Sequence, residues 1–281
     1  MDSRYRQDVS KYGKKDALIA LCVLLLYMVL GITLVIIGNA LESTETLTSE
    51  QIRLLMAMMQ LFVPTVIIAI VIIKKQGLKS IGINKENLWP ALRLGCLFSL
   101  IAIFFSVLPG ILYGGNFVGI SAIMSSLLWA FLFAFPEDIF FIGYLQTRLY
   151  GLFKTDKVAI GTGALIFAFM HVPTWIMMGR LNLENMPSFA LSVFGWLTAH
   201  VMYVLVFKRH FSLFPIFIMH AISNWALGSE FWVFADDYTT QSALEWGGLG
   251  GILRIVAVVV WAIVIHRRAK KATVQKDEIL K

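Results

Sequence analysis

Eight runs of about twenty apolar residues, separated by short loops of alternating charge, limit what this chain can fold into. The runs cover residues 17–37, 52–73, 91–112, 119–149, 158–178, 188–207, 211–234 and 249–265. A helix needs about 20 mostly apolar residues to cross a ~30 Å hydrocarbon core. Inside that core each backbone N–H and C=O must be satisfied within the protein, which a helix does within its own segment. The runs therefore predict an all-α, polytopic membrane protein with about eight transmembrane helices. Composition leads the same way. The 281 residues are 58% hydrophobic and 15% charged, against roughly 25% charged in a soluble domain, so polar side chains are too few to coat the chain in water. Eight spans consume roughly 160 residues. What remains predicts one membrane domain, 17–267, between an N-terminal arm, 1–16, and a tail, 268–281. The run at 17–37 is too long for a signal-peptide core, and no small-residue cleavage site follows it, so it is expected to stay as a helix.

The loops carry the orientation. Arg4, Arg6, Lys11, Lys14 and Lys15 precede the first run, and Glu42, Glu45 and Glu50 follow it. Lys74, Lys75, Lys79 and Lys85 come next, then an uncharged loop at 113–116. Arg148, Lys154 and Lys157 follow, then a nearly neutral loop with Arg180 and Glu184. Lys208 and Arg209 precede the last acidic loop, with Glu230, Asp236, Asp237 and Glu245, and the tail is basic. Every second loop is basic, and the positive-inside rule places those loops in the cytoplasm. Both termini are then cytoplasmic, in a multi-pass protein of the cell membrane. The net charge of +7 is spent on topology, which argues against a nucleic-acid partner. Cys22 and Cys96 lie inside apolar runs and are expected to be packing residues, with no disulfide framework and no cysteine metal site.

Ionisable groups at membrane depth are costly and mark function or pairing. Away from span ends the chain has Glu137 and Asp138 in the fourth run, with Pro136 predicting a kink there. The fifth run holds His171, the sixth His200, and the seventh His220 and Asn224. At ~1.5 Å per residue, Glu137, His171, His220 and Asn224 lie about 16, 21, 14 and 20 Å from the basic face. Four polar side chains on three helices thus share one band of depth, and His220 and Asn224 share a helix face. A carboxylate with two imidazoles points to hydrolysis. Glu137 can take a proton from water that a histidine holds, and the second histidine with Asn224 can donate to an oxyanion. The trio Glu137, His171 and His220 can equally bind zinc with water as fourth ligand, although no H-E-x-x-H run is present. Two blander readings stand beside these. His200 reads as an interhelical hydrogen-bonding residue. The acidic pair at 137–138 could serve proton-coupled transport, but the chain lacks the inverted repeats of many transporters.

At these residues the chain resembles the CAAX prenyl protease and bacteriocin-processing family (CPBP, also called Abi). Its E-E-x-x-x-R-G motif reads E-D-I-F-F-I-G at 137–143. F-x-x-x-H reads F-A-F-M-H at 167–171, and H-x-x-x-N reads H-A-I-S-N at 220–224, after an S-L-F-P run at 212–215. The resemblance covers 128–227. It implies an eight-helix core around a conical polar cavity and an intramembrane endopeptidase acting on a membrane-associated protein or peptide, which enters from the membrane or cytoplasm. By this resemblance Glu137 and His171 activate water, and His220 and Asn224 form the oxyanion hole. Asp138 and Phe167 support them. No cofactor is implied by the favoured glutamate mechanism; a metal, if bound, would sit on Glu137, His171 and His220. The other partner is membrane lipid. Asp138 and Ile142 depart from the motif, which removes the family's helical ion pair. Asp138 is then expected to turn away from the water and find another polar partner. The departure also supports an alternative, a non-catalytic relative acting as a bacteriocin-immunity factor or regulator.

Overall fold

A computed structural model describes residues 3–43, 48–85, 88–113, 116–177, 181–227 and 232–233. The eighth run, the acidic loop from Asp236 on and the tail lie outside these residues. The described parts of the other seven runs are helical, except that 232–233, near the end of the seventh, form a short strand. The first is α2 (Lys14–Ser43), preceded by a short α1 (Ser3–Val9). The second is divided into α3 (Ser49–Gln60) and α4 (Phe62–Ile73). Pro64 accounts for the division, because it lacks an N–H and its ring crowds the carbonyl four residues earlier, that of Gln60. The third is α5 (Leu88–Tyr113). The fourth begins as α6 (Ile120–Glu137), widens into a π-helix over Asp138–Leu145, and continues as α7 (Gln146–Arg148). The fifth is α8 (Asp156–Met170) and α9 (Val172–Met177), divided at His171, with Pro173 opening α9. The sixth is α10 (Met186–His210) and the seventh α11 (Phe214–Leu227). Among the described residues, three continuous stretches, Lys14–Gly38, Ile120–Gly151 and Met186–His210, are long and apolar enough to cross a membrane. A two-residue antiparallel ladder pairs β1 (Asn116–Phe117) with β2 (Trp232–Val233).

Helix α11 packs mainly against α5 and α6, and α10 against α8. The centre is the π-helical segment, every residue of which is buried. Its motif glycine, Gly143, has a steric reason: a Cβ there would lie 2.7 Å from the Ile81 carbonyl oxygen and 2.9 Å from a Leu213 methyl. Ile142, at the motif's arginine position, sits in the apolar core. Cys22 and Cys96 are exposed, which corrects the expectation that they pack inside. Their runs are apolar on every side, so a cysteine's inward or outward direction has no sequence signal.

The N-terminal arm is folded onto the bundle. Tyr5 is fully buried, edge-on to Tyr150, Phe207 and Phe211 at 5.6–6.0 Å. Such pairs contribute about 0.5–1.5 kcal/mol each beyond area burial. Arg148 is buried as well, its guanidinium between the rings of Tyr12 and Tyr144 at 4.4 and 4.5 Å. It donates to the Ser80 carbonyl, Ser80 Oγ, Thr147 Oγ1 and Gln76 Oε1.

Candidate active site

Pro136 and the π-helix after it put two consecutive carboxylates where α6 changes pitch. π-helical turns are rare and concentrate at functional sites. The kink expected from Pro136 takes this form, a local widening of the helix. Glu137 closes α6 and keeps 21% of its side chain accessible, whereas Asp138 is buried. Both face His220 from α11. Asp138 Oδ1 is 2.9 Å from His220 Nδ1, and Glu137 Oε2 is 3.7 Å from His220 Nε2. The first is a hydrogen bond; the second exceeds hydrogen-bond length. A carboxylate only accepts, so Nδ1 carries a proton, and His220 directs Nε2 toward Glu137. The other Asp138 oxygen has no hydrogen-bond partner among the described residues.

His171 occupies the junction between α8 and α9. Its Nδ1 donates to the Phe167 carbonyl one turn back, at 2.8 Å. A carbonyl only accepts, so this ring too has its proton on Nδ1 and Nε2 left free. Phe167 is the common neighbour. Its ring centroid lies 4.9 Å from that of His171, 6.3 Å from His220 and 5.3 Å from His200. The structure therefore gathers Glu137, Asp138, His220, Phe167 and His171 into one cluster. Asn224 follows one turn beyond His220 on α11; its side chain is exposed and makes no hydrogen bond among the described residues.

His200 is fully buried behind Phe167 and hydrogen-bonds Gln146 Oε1 through Nε2 at 3.1 Å. It is the interhelical residue the sequence predicts. Gly163 leaves room for this pair, since a Cβ there would meet Gln146 Oε1 at 2.1 Å and His200 Nε2 at 2.9 Å. Two residues not singled out from sequence also touch the site. Trp196 stacks on His171 with centroids 4.3 Å apart and planes at 17°, and Tyr203 lies 5.3 Å from His220 at 37°. With His200 they fall at i, i+4 and i+7 in W-L-T-A-H-V-M-Y, a single helical face. That spacing was the available signal.

For zinc, both imidazoles have the secondary hydrogen bond that metal-binding histidines commonly carry. However, among the described residues no three His, Cys, Asp or Glu side chains are gathered as a metal ion requires. An apolar cavity of about 360 Å³ lies between α5, α6 and α11, with Leu92, Leu128, Phe135, Phe217 and Ile218 in its lining.

Residues 119–226, which contain all of the residues in this cluster, match the family described as Rce1-like, type II CAAX prenyl endopeptidase. Comparison with curated proteins gives no match.

Proposed function

We propose, from the match of residues 119–226 to the Rce1-like family, that the chain is a CAAX protease (CPBP) type intramembrane endopeptidase using a Glu137-activated water. One observation carries the reading: His220 is held between two consecutive carboxylates, bonded to one and facing the other. A structural histidine needs one such partner. A second carboxylate, partly accessible and beyond hydrogen-bond length, is free to act on a bound water.

In this mechanism Glu137 takes a proton from water while His171 Nε2 holds the water. The water oxygen attacks the peptide carbonyl carbon. His220, protonated on both nitrogens, donates from Nε2 to the developing oxyanion, and Asn224 donates beside it. Glu137 returns the proton to the leaving nitrogen as the C–N bond breaks, so peptide and water become an acid and an amine. No cofactor enters. The substrate is a membrane-associated protein or peptide, and the apolar cavity between α5, α6 and α11 supports a substrate with an apolar portion. The full architecture proposed is one eight-span domain over 17–267 around a polar cavity, in the cell membrane with both termini cytoplasmic.

The test is cleavage of a peptide library by purified protein, wild type against Glu137→Gln. This substitution nearly preserves size and hydrogen bonding but removes the base. It should lower turnover about 10²–10⁴-fold. His171→Ala added to it should be barely worse, because groups acting as a unit are not additive. Wild-type turnover or cellular phenotype in the double variant, at unchanged abundance, sinks the protease reading in favour of a non-catalytic regulator.

A further inference from the structure

Helix α10 lies outside the three motif runs, yet it touches both imidazoles. Trp196 stacks on His171 and Tyr203 packs on His220, while His200 between them contacts Phe167. His200 also bonds Gln146. Gln146 directly follows the π-helical segment that begins at Asp138. The stripe is thereby tied to the continuous stretch Ile120–Gly151 that carries Glu137.

The His171 ring needs this support for a geometric reason. Its hydrogen bond to the Phe167 carbonyl restrains one atom, Nδ1. Rotation about χ2 is broad and roughly two-fold for histidine, so one bond leaves the plane of the ring and the direction of Nε2 weakly determined. A face-on indole at 4.3 Å determines the plane. Bond and stack together set where Nε2 points.

We propose that Trp196 is a positioning residue: its indole fixes the plane of the His171 imidazole so that Nε2 is presented to the water beside Glu137. The proposal rests on the reading of Glu137 and His171 as the water-activating pair. Trp196 touches no reacting atom itself.

The test uses the full-length protein in lipid nanodiscs, labelled with 15N-histidine. The chain has 5 histidines, so His171 is assigned by the signal lost in His171→Gln. Wild type should show a single Nδ1–H tautomer for His171. Trp196→Phe, which keeps a flat ring, should preserve it. Trp196→Leu should give two ring nitrogens averaged between tautomers. In the cleavage assay Trp196→Leu should lose about 10–100-fold in kcat, the scale of a small misplacement, with KM unchanged, and Trp196→Phe should stay near wild type. An unaltered His171 tautomer in Trp196→Leu overturns the proposal, as does a phenylalanine variant as impaired as the leucine one. If Glu137→Gln instead keeps wild-type turnover, the protease reading fails by itself, and the tautomer comparison still decides whether Trp196 fixes the ring.

Discussion

One methylene separates Asp138 from the glutamate of the family motif, and the arginine that would pair with it is Ile142. A buried carboxylate without a partner is expensive, so the sequence requires a new partner without naming it. The partner is His220, 82 positions along the chain. No local spacing reports a contact of that range, whereas each of the four candidate residues sits in a short fixed run that the sequence displays. The expectation that Asp138 finds another polar group holds, but that group belongs to the cluster itself. This gives Asp138 a role: it holds the proton of His220 on Nδ1 and aims Nε2 at Glu137. Groups that orient a functional imidazole typically contribute 10–100-fold to activity. Asp138→Asn should therefore lower kcat by about 10–100-fold, less than the roughly 10²–10⁴-fold expected of Glu137→Gln. Side-by-side kinetics of the two variants check this, and equal, complete loss in both would contradict the division between orienting and base groups.

Among the elements, hydrophobic runs were sufficient to locate the described helices, three of which are long and apolar enough to cross a membrane, because a helix satisfies its backbone hydrogen bonds within its own segment. What the runs did not convey was their internal breaks. Pro64 and Pro173 divide two of them, and the π-helix follows Pro136 in a third. A proline is visible in sequence, but whether it kinks, divides or widens a helix depends on what packs around it. The backing role of α10 was hidden for a similar reason: spacing identifies the face of Trp196, His200 and Tyr203, not the helix that face meets. Gly143 illustrates an element-level constraint that sequence displays and only packing explains. The Ile81 carbonyl occupies the place a side chain would take, and backbone cannot swing aside as a flexible side chain can. Gly143→Ala should cost about 1–3 kcal/mol, the usual scale of overpacking. Thermal unfolding of the detergent-purified protein measures it. A midpoint equal to wild type would show that the turn at Leu78–Ile81 yields easily and that this glycine has no steric duty.

Across the whole molecule, loops assigned to one side by charge alone meet at one end. Lys74 pairs with Asp16 at 2.8 Å, Arg148 bonds Gln76 and Ser80, Lys208 pairs with Asp156, and Asn84 donates to the Phe211 carbonyl. The arm joins them through Tyr5, whose burial has no signal in the sequence because one tyrosine carries no periodicity. The β1–β2 ladder joins the loop before the fourth run to the end of the seventh, both assigned to the opposite side. Ile120–Gly151 lies between these ends, and its 32 residues extend about 48 Å as helix, more than the ~30 Å hydrocarbon core. The chain has only two cysteines, so a Cys22→Ala/Cys96→Ala background permits a direct test with a membrane-impermeant maleimide. Asn116 and Lys154 are both exposed and flank this segment. Asn116→Cys should label in intact cells, and Lys154→Cys only after permeabilisation, because the basic loops stay on the cytoplasmic side. The reverse pattern would leave the fold intact but invert the protein in the membrane, moving Glu137 to the opposite approach for substrate. Labelling of both from one side would mean that Ile120–Gly151 does not cross, and with it the depth argument that brings Glu137 level with His171 and His220 would fall.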